Sequence, residues 1–206
     1  MADLFVTFEG GDASGKSTQI ALLAEWLVSA GQTVVVTREP GGTDLGNELR
    51  DIVLHRKGFI APRAEALIYA ADRAHHIHTH VRPALERGDI VVQDRYLDSS
   101  VAYQGAGRVL DATEVRELSL WATEGLVPDL TVLLDVPARI GLDRQATHER
   151  QYDRLEAEAE DFHERVRDSY LVLARAEPTR FLVIDGTKSV EDIHAVIIQR
   201  VSSALG

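Results

Sequence analysis

Leu4-Phe5-Val6-Thr7-Phe8-Glu9 followed by Gly10-Gly11-Asp12-Ala13-Ser14-Gly15-Lys16-Ser17 is the stretch whose reading decides the fold. The first six residues are rich in large apolar side chains, as a buried parallel strand should be. The next eight match G-x-x-x-x-G-K-[ST] in full. Beyond them Ile20, Leu23, Ala24 and Leu27 recur at helical spacing over 17–30, and Gly31 ends the pattern. Strand, glycine-rich loop and helix in that order make a phosphate cradle. The glycines let backbone N–H groups turn inward, and the helix N-terminus adds partial positive charge. Lys16 is placed to reach the β- and γ-phosphates of a nucleotide, and the Ser17 hydroxyl to hold Mg²⁺. The expected contacts to ATP or GTP are Gly10, Gly11, Asp12, Ala13, Ser14, Gly15, Lys16, Ser17 and Thr18. ATPases, GTPases, kinases and passive nucleotide-binding regulators all carry such a loop, so it names no reaction.

The same alternation continues along the chain. Further strands are read at 33–37, 89–93, Leu130–Asp135 and 181–184, each rich in Val, Ile, Leu or Phe, with helical patterns between them. This predicts an α/β fold: a parallel sheet of about five strands with helices on both faces. No repeat, low-complexity tract or linker interrupts residues 1–206, so a single domain is expected, although the charge-dense stretch from Arg139 to Arg165 breaks the alternation.

Bulk properties narrow the function. The 206 residues carry a net charge of −11, which argues against a nonspecific nucleic-acid binder. A chain that grips two polyanionic nucleotides must then gather its cations into one cleft. There are no cysteines, which excludes disulfides and thiolate metal sites and fits a reducing cytoplasm. The opening Met-Ala-Asp-Leu-Phe does not read as a signal peptide, and no apolar run approaches the roughly 20 residues of a membrane helix.

Asp94-Arg95-Tyr96 follows the strand Ile90-Val91-Val92, and Arg38-Glu39-Pro40-Gly41-Gly42 follows Val34-Val35-Val36-Thr37. Polar groups at the carboxyl ends of parallel strands lie at the crevice where open α/β sheets bind ligands. Asp94 is placed to orient Mg²⁺ and Arg95 to clamp a phosphate; a surface ion pair is the plainer alternative. Further pieces are Tyr69-Ala70-Ala71-Asp72-Arg73, Ser99-Ser100-Val101-Ala102-Tyr103-Gln104-Gly105 and Pro128-Asp129-Leu130-Thr131. On these motifs the chain resembles the bacterial thymidylate kinases from end to end.

The resemblance implies roles for particular residues. Asp12 would meet the sugar 3′-hydroxyl and help arrange the metal, and Arg95 would grip the acceptor phosphate with Arg38 close by. Tyr69 stands where the family most often has Phe stacked on thymine; a core aromatic is its other reading. Arg73 would hydrogen-bond a thymine carbonyl, and Ser100 and Gln104 would read the base edge. Tyr103 would crowd the 2′ position and disfavour ribose, and Arg50 would line the acceptor pocket. ATP and dTMP are the substrates implied, with Mg²⁺ as cofactor. A homodimer is also implied, with no nucleic-acid or membrane partner.

The acceptor is a phosphate oxygen, so no strong base is needed, and catalysis rests on positioning and charge neutralisation. The variable P-loop positions Gly11, Asp12, Ala13 and Ser14 are not basic. The resemblance is therefore to the branch that supplies arginine from a small helical lid, which it implies at about 139–160 here. Asp153-Arg154-Leu155-Glu156 resembles the lid motif, giving Arg154, then Arg150, to the transferred phosphate and Arg144 to the adenine face. Asp185-Gly186-Thr187 would close the adenine pocket. A solvated charged helix is the alternative for this segment. His76 and His80 have zinc-like spacing, but no third ligand is evident, and a polar helix face is the other reading. Trp26 and Trp121 read as core or subunit-interface residues. Two other functions compete: a kinase for uridylate or cytidylate, and a P-loop switch lacking an arginine-lined second pocket.

Overall fold

The five apolar runs pair into one parallel sheet in the computed structural model, which describes residues 3–146 and 153–205. The strands are β1 (Leu4–Glu9), β2 (Val34–Arg38), β3 (Ile90–Asp94), β4 (Leu130–Asp135) and β5 (Phe181–Asp185), ordered β2-β3-β1-β4-β5. Each boundary lies within one residue of the expected one. Every residue of the central strand β1 is buried, which explains why its sequence is nearly all apolar.

The helices, in chain order, are α1 (Lys16–Ser29), α2 (Asp44–His55), α3 (Pro62–His76), α4 (Arg82–Glu86), α5 (Leu97–Ser100), α6 (Ala112–Ala122), α7 (Ala138–Ala146), α8 (Glu160–Ala176) and α9 (Val190–Leu205). Side chains alternate across a strand, and the two faces of β1 show it. Leu4, Val6 and Phe8 pack with Ile20, Leu23 and Leu27 of α1 and Ile193, Ile197 and Val201 of α9. Phe5 packs on the other face with Ile77, Val81 and Tyr96. A third apolar cluster joins Leu133 to Tyr103, Phe162, Val166 and Tyr170, and so seats α8 over the sheet.

Two π-helical stretches widen the helical layer. Ile77–Val81 links α3 to α4, and Val101–Gly107 prolongs α5. The second carries Tyr103 and Gln104, and π-turns often mark functional sites. The first bears on the histidines. His76 is buried, with its ring between Thr37 Oγ1 at 2.7 Å and Glu39 Oε1 at 2.9 Å, and it stacks on His80 at 5.8 Å. The expected polar helix face is therefore corrected: His76 is an internal strut between α3 and the end of β2. Trp26 packs partly buried against the core, whereas Trp121 is 78% exposed and is not a core residue.

Behind the sheet edge, Arg180 forks onto Asp98 with bonds of 2.7 and 2.9 Å and also donates to Thr131 Oγ1. Both partners are nearly sealed from solvent. Removing one partner strands the other charge. Arg180→Met is accordingly expected to lower unfolding free energy by about 3 to 5 kcal/mol in urea titration.

Candidate active site

At the carboxyl edge of the sheet lies a cavity of about 670 Å³, lined by Asp12 to Thr18 of the P-loop and by Arg38, Arg50, Arg73, Arg95 and Arg144. The strand register puts these elements level. Phe8 and Arg38 both pair with Asp94, and Arg95 N donates to Phe8 O while Glu39 N donates to Asp94 O. The P-loop turns tightly where β1 ends. Gly10 has φ +131°, and a Cβ there would meet the Leu134 carbonyl oxygen at 2.5 Å, so only glycine fits. Lys16 folds over the loop, donating to Gly11 O at 2.8 Å and Gly10 O at 3.2 Å. Burial, then the Arg95 charge, push its ammonium down to about 8.

Arg95 joins the P-loop to the second half of the cavity. Its φ of +66° is unusual for a non-glycine residue and aims the side chain back across β1. One guanidinium nitrogen donates to Gly10 O at 3.0 Å. The other donates to Asp12 Oδ1 at 2.5 Å and Tyr103 OH at 3.1 Å, and the group sits over the Tyr103 ring at 4.9 Å. Tyr103 OH donates in turn to Asp12 Oδ2. Burial works to raise the Asp12 carboxyl, but Arg95 and then Lys16 outweigh it and hold it below its ordinary value. Asp94 and Ser17 share this cavity wall. Among the described residues Asp94 Oδ1 is buried with no hydrogen-bond partner, as a cation ligand would be.

The far half is lined by Tyr69, Leu54, Ser100, Tyr103 and Gln104, with Arg73 behind them. Arg73 is 2% exposed and bonds Glu39, Ser100 Oγ, Ser119 Oγ and Tyr96 O. Arg50 donates to Pro40 O at 2.9 Å, while Arg38 is exposed at the mouth. On the P-loop side Arg144 reaches Ala13 O and Gly186 O, which brings the expected adenine-site pieces together. The cavity thus brings together Asp12 to Thr18, Asp94, Arg144 and all the side chains expected around the acceptor, whereas Gly10, Gly11 and Arg154 are not among its lining residues.

The model of the thymidylate kinase family matches residues 8–197. The chain belongs to the thymidylate kinase family. A thymidylate kinase of Leifsonia xyli subsp. xyli is 69% identical over 94% of this chain and 92% of its own length. One of Bifidobacterium longum is 52% identical over 96% of each. A crystal structure of thymidylate kinase from Ehrlichia chaffeensis, 32% identical, covers 98% of this chain and 99% of its own with a TM-score of 0.80. These comparisons agree with the resemblance and with the P-loop kinase fold.

Within this thymidylate kinase fold the lid arginines need separate treatment. Arg150 lies outside the described residues. Arg154, expected to face the transferred phosphate, does not line the cavity. Its Nε donates to Val53 O, its Nη2 pairs with Glu65, and its backbone N bonds Leu54 O. The physical reason lies in Asp153 and Glu156. Asp153 Oδ1 accepts from the Leu155 and Glu156 N–H groups, and Glu156 Oε2 accepts from Asp153 N. This reciprocal cap fixes a tight turn that carries Arg154 toward α2 and α3.

Three acidic residues were missed by sequence reading: Glu9, Glu39 and Glu65. Glu9 accepts from Tyr96 N, Ser99 Oγ and Tyr170 OH beneath Arg95. The only cue was a carboxylate at the end of a mostly apolar strand. Burial, then the Asp98 charge, push Glu9 up to about 7. The folded state therefore binds the extra proton between about 4.5 and 7, so this contribution is full below that window and lost as pH rises through it. Wild type should lose stability relative to Glu9→Gln between pH 4.5 and 7, read as the difference in urea midpoints across that range.

Proposed function

We propose that this chain transfers the γ-phosphoryl group of ATP to thymidine monophosphate, giving thymidine diphosphate and ADP toward dTTP synthesis. The observation that carries the reading is the single cavity in which a P-loop and an arginine-lined acceptor pocket meet at Asp12 and Arg95. A P-loop switch has no use for the second half.

Each group has a task. The P-loop N–H groups and Lys16 hold the β- and γ-phosphates. Arg95, aided by Arg38 and Arg50, holds the acceptor phosphate in line, so that reaction becomes effectively unimolecular. Asp12 meets the sugar 3′-hydroxyl. Tyr103, pinned by Asp12 and Arg95, fills the 2′ side and rejects ribose. Tyr69 stacks on the base, with Arg73, Ser100 and Gln104 at its edge. Arg144 and Gly186 support the adenine.

Mg²⁺ fits beside Ser17 and the unpartnered Asp94 oxygen, where it would neutralise phosphate charge. Among the described residues no cluster of three or more His, Asp or Glu forms a metal site. This suits an ion that takes its remaining ligands from phosphates and water. The segment at about 139–160 serves as a lid that excludes water. The family resemblance also supports a homodimer working in the cytoplasm. Among the described residues no helix is long and apolar enough to cross a membrane.

Coupled ADP release with Mg-ATP tests the reaction directly. Strong stimulation by dTMP and little by uridine or cytidine monophosphate is expected. Equal release with and without acceptor would mean an ATPase. Arg150→Ala should lower turnover on the order of 10²-fold or more, as loss of a transition-state cation does. Arg154→Ala should act first on lid stability, with a smaller fall in turnover.

A further inference from the structure

Glu65 of α3 is fully buried, yet it gathers three donors from distant parts of the chain. Gln104 Nε2 donates to its Oε1 at 3.0 Å. Arg108 Nε spans both oxygens at 3.3 Å, and Arg154 Nη2 donates to Oε2. A carboxylate held between two guanidiniums offers only acceptors. Gln104 can therefore face it only through its amide nitrogen.

The consequence falls on the other end of the Gln104 amide. Its Oε1 takes no hydrogen bond from a described residue, and the side chain lines the cavity. The wall thus presents a fixed acceptor. Arg73, close by through Ser100, spends Nε on Glu39, Nη1 on Ser100 and Ser119, and one Nη2 hydrogen on Tyr96 O. One Nη2 N–H remains as a donor among the described residues.

An acceptor and a donor lining the same cavity would match a base edge that shows N–H next to a carbonyl. Thymine and uracil show that edge at N3 and the 4-carbonyl. Cytosine reverses it, with a bare N3 and a 4-amino group. Acceptor would then face acceptor and donor face donor, leaving buried groups unpaired. Sites built on such pairing reject the wrong partner far more strongly than apolar pockets do.

We propose that Glu65 is a positioning residue for base selection: by fixing the Gln104 amide it makes the pocket choose a 4-carbonyl pyrimidine over a 4-amino one. This rests on the acceptor reading above. Glu65 itself touches no substrate and works through Gln104.

The test compares kcat/KM for dTMP, dCMP and 3-methylthymidine monophosphate in wild type, E65Q and the swapped pair E65Q/Q104E. Wild type should favour dTMP over dCMP by at least about 10³-fold and use the 3-methyl compound poorly. In E65Q the new amide can face Gln104 with either end, so the dTMP to dCMP ratio should fall about 10-fold or more. In the swap, the amide moved to α3 donates to the carboxylate moved to the pocket wall, which still shows the base an acceptor. The ratio should then return close to that of wild type. A purely structural role for Glu65 would lower both acceptors alike and leave the ratio untouched. That outcome, a swap no better than E65Q, or ready use of 3-methylthymidine monophosphate would each overturn the proposal. If E65Q is too unstable to assay, the swap decides: a ratio within about threefold of wild type supports it, and a larger loss overturns it. Wild type inert toward dTMP overturns the acceptor reading and this inference together. Wild type active on dTMP with an unchanged ratio in E65Q overturns this inference alone.

Discussion

The guanidinium of Arg95 holds together two sites that would otherwise be separate. It touches the P-loop at Gly10 and Asp12, the acceptor side at Tyr103, and α8 through Tyr170. Its backbone at φ +66° makes this reach feasible, and the Asp12 carboxylate that accepts from it keeps the charge tolerable in a low-dielectric interior. On the function proposed above, donor and acceptor phosphates must be held in line within fractions of an ångström, and one rigid cation shared by both halves of the cavity would serve that requirement directly. The sheet contributes by bringing the ends of β1, β2 and β3 level.

A second buried carboxylate organises the outer wall. Glu65 is approached by residues from α3's neighbours and from the turn at 153–158, so the acceptor pocket and the end of the lid segment share one anchor. The capped Asp153–Glu156 turn gives that anchor a defined shape. In this arrangement Arg154 ties that turn to α2 and α3 through Val53, Leu54 and Glu65.

Much of this was legible in the sequence because its signals are local. The strands could be read because burial on both faces demands unbroken apolar runs, and the P-loop because its glycines, lysine and serine are contiguous. The acceptor pocket was legible only through several motifs taken in order as a family resemblance. Glu9, Glu65 and the destination of Arg154 were not legible, since their partners lie far along the chain: Ser99 is 90 residues from Glu9, and Arg154 is 89 from Glu65. His76 misled for a related reason. Helical spacing shows which residues share a face, but not that this face is covered by Thr37 and Glu39.

The gathering of Lys16, Arg38, Arg50, Arg73, Arg95 and Arg144 into one cavity of a chain of net charge −11 has a kinetic consequence. A nucleotide approaching from afar meets overall repulsion, and the clustered cations attract it at the cavity, where Arg38 stands exposed. At physiological ionic strength charge beyond about 8 Å is largely screened. Added salt weakens this outer barrier more than the sheltered contacts inside. Arrival should therefore quicken with moderate salt while departure changes little, the reverse of the usual behaviour of proteins that steer anions with a basic surface.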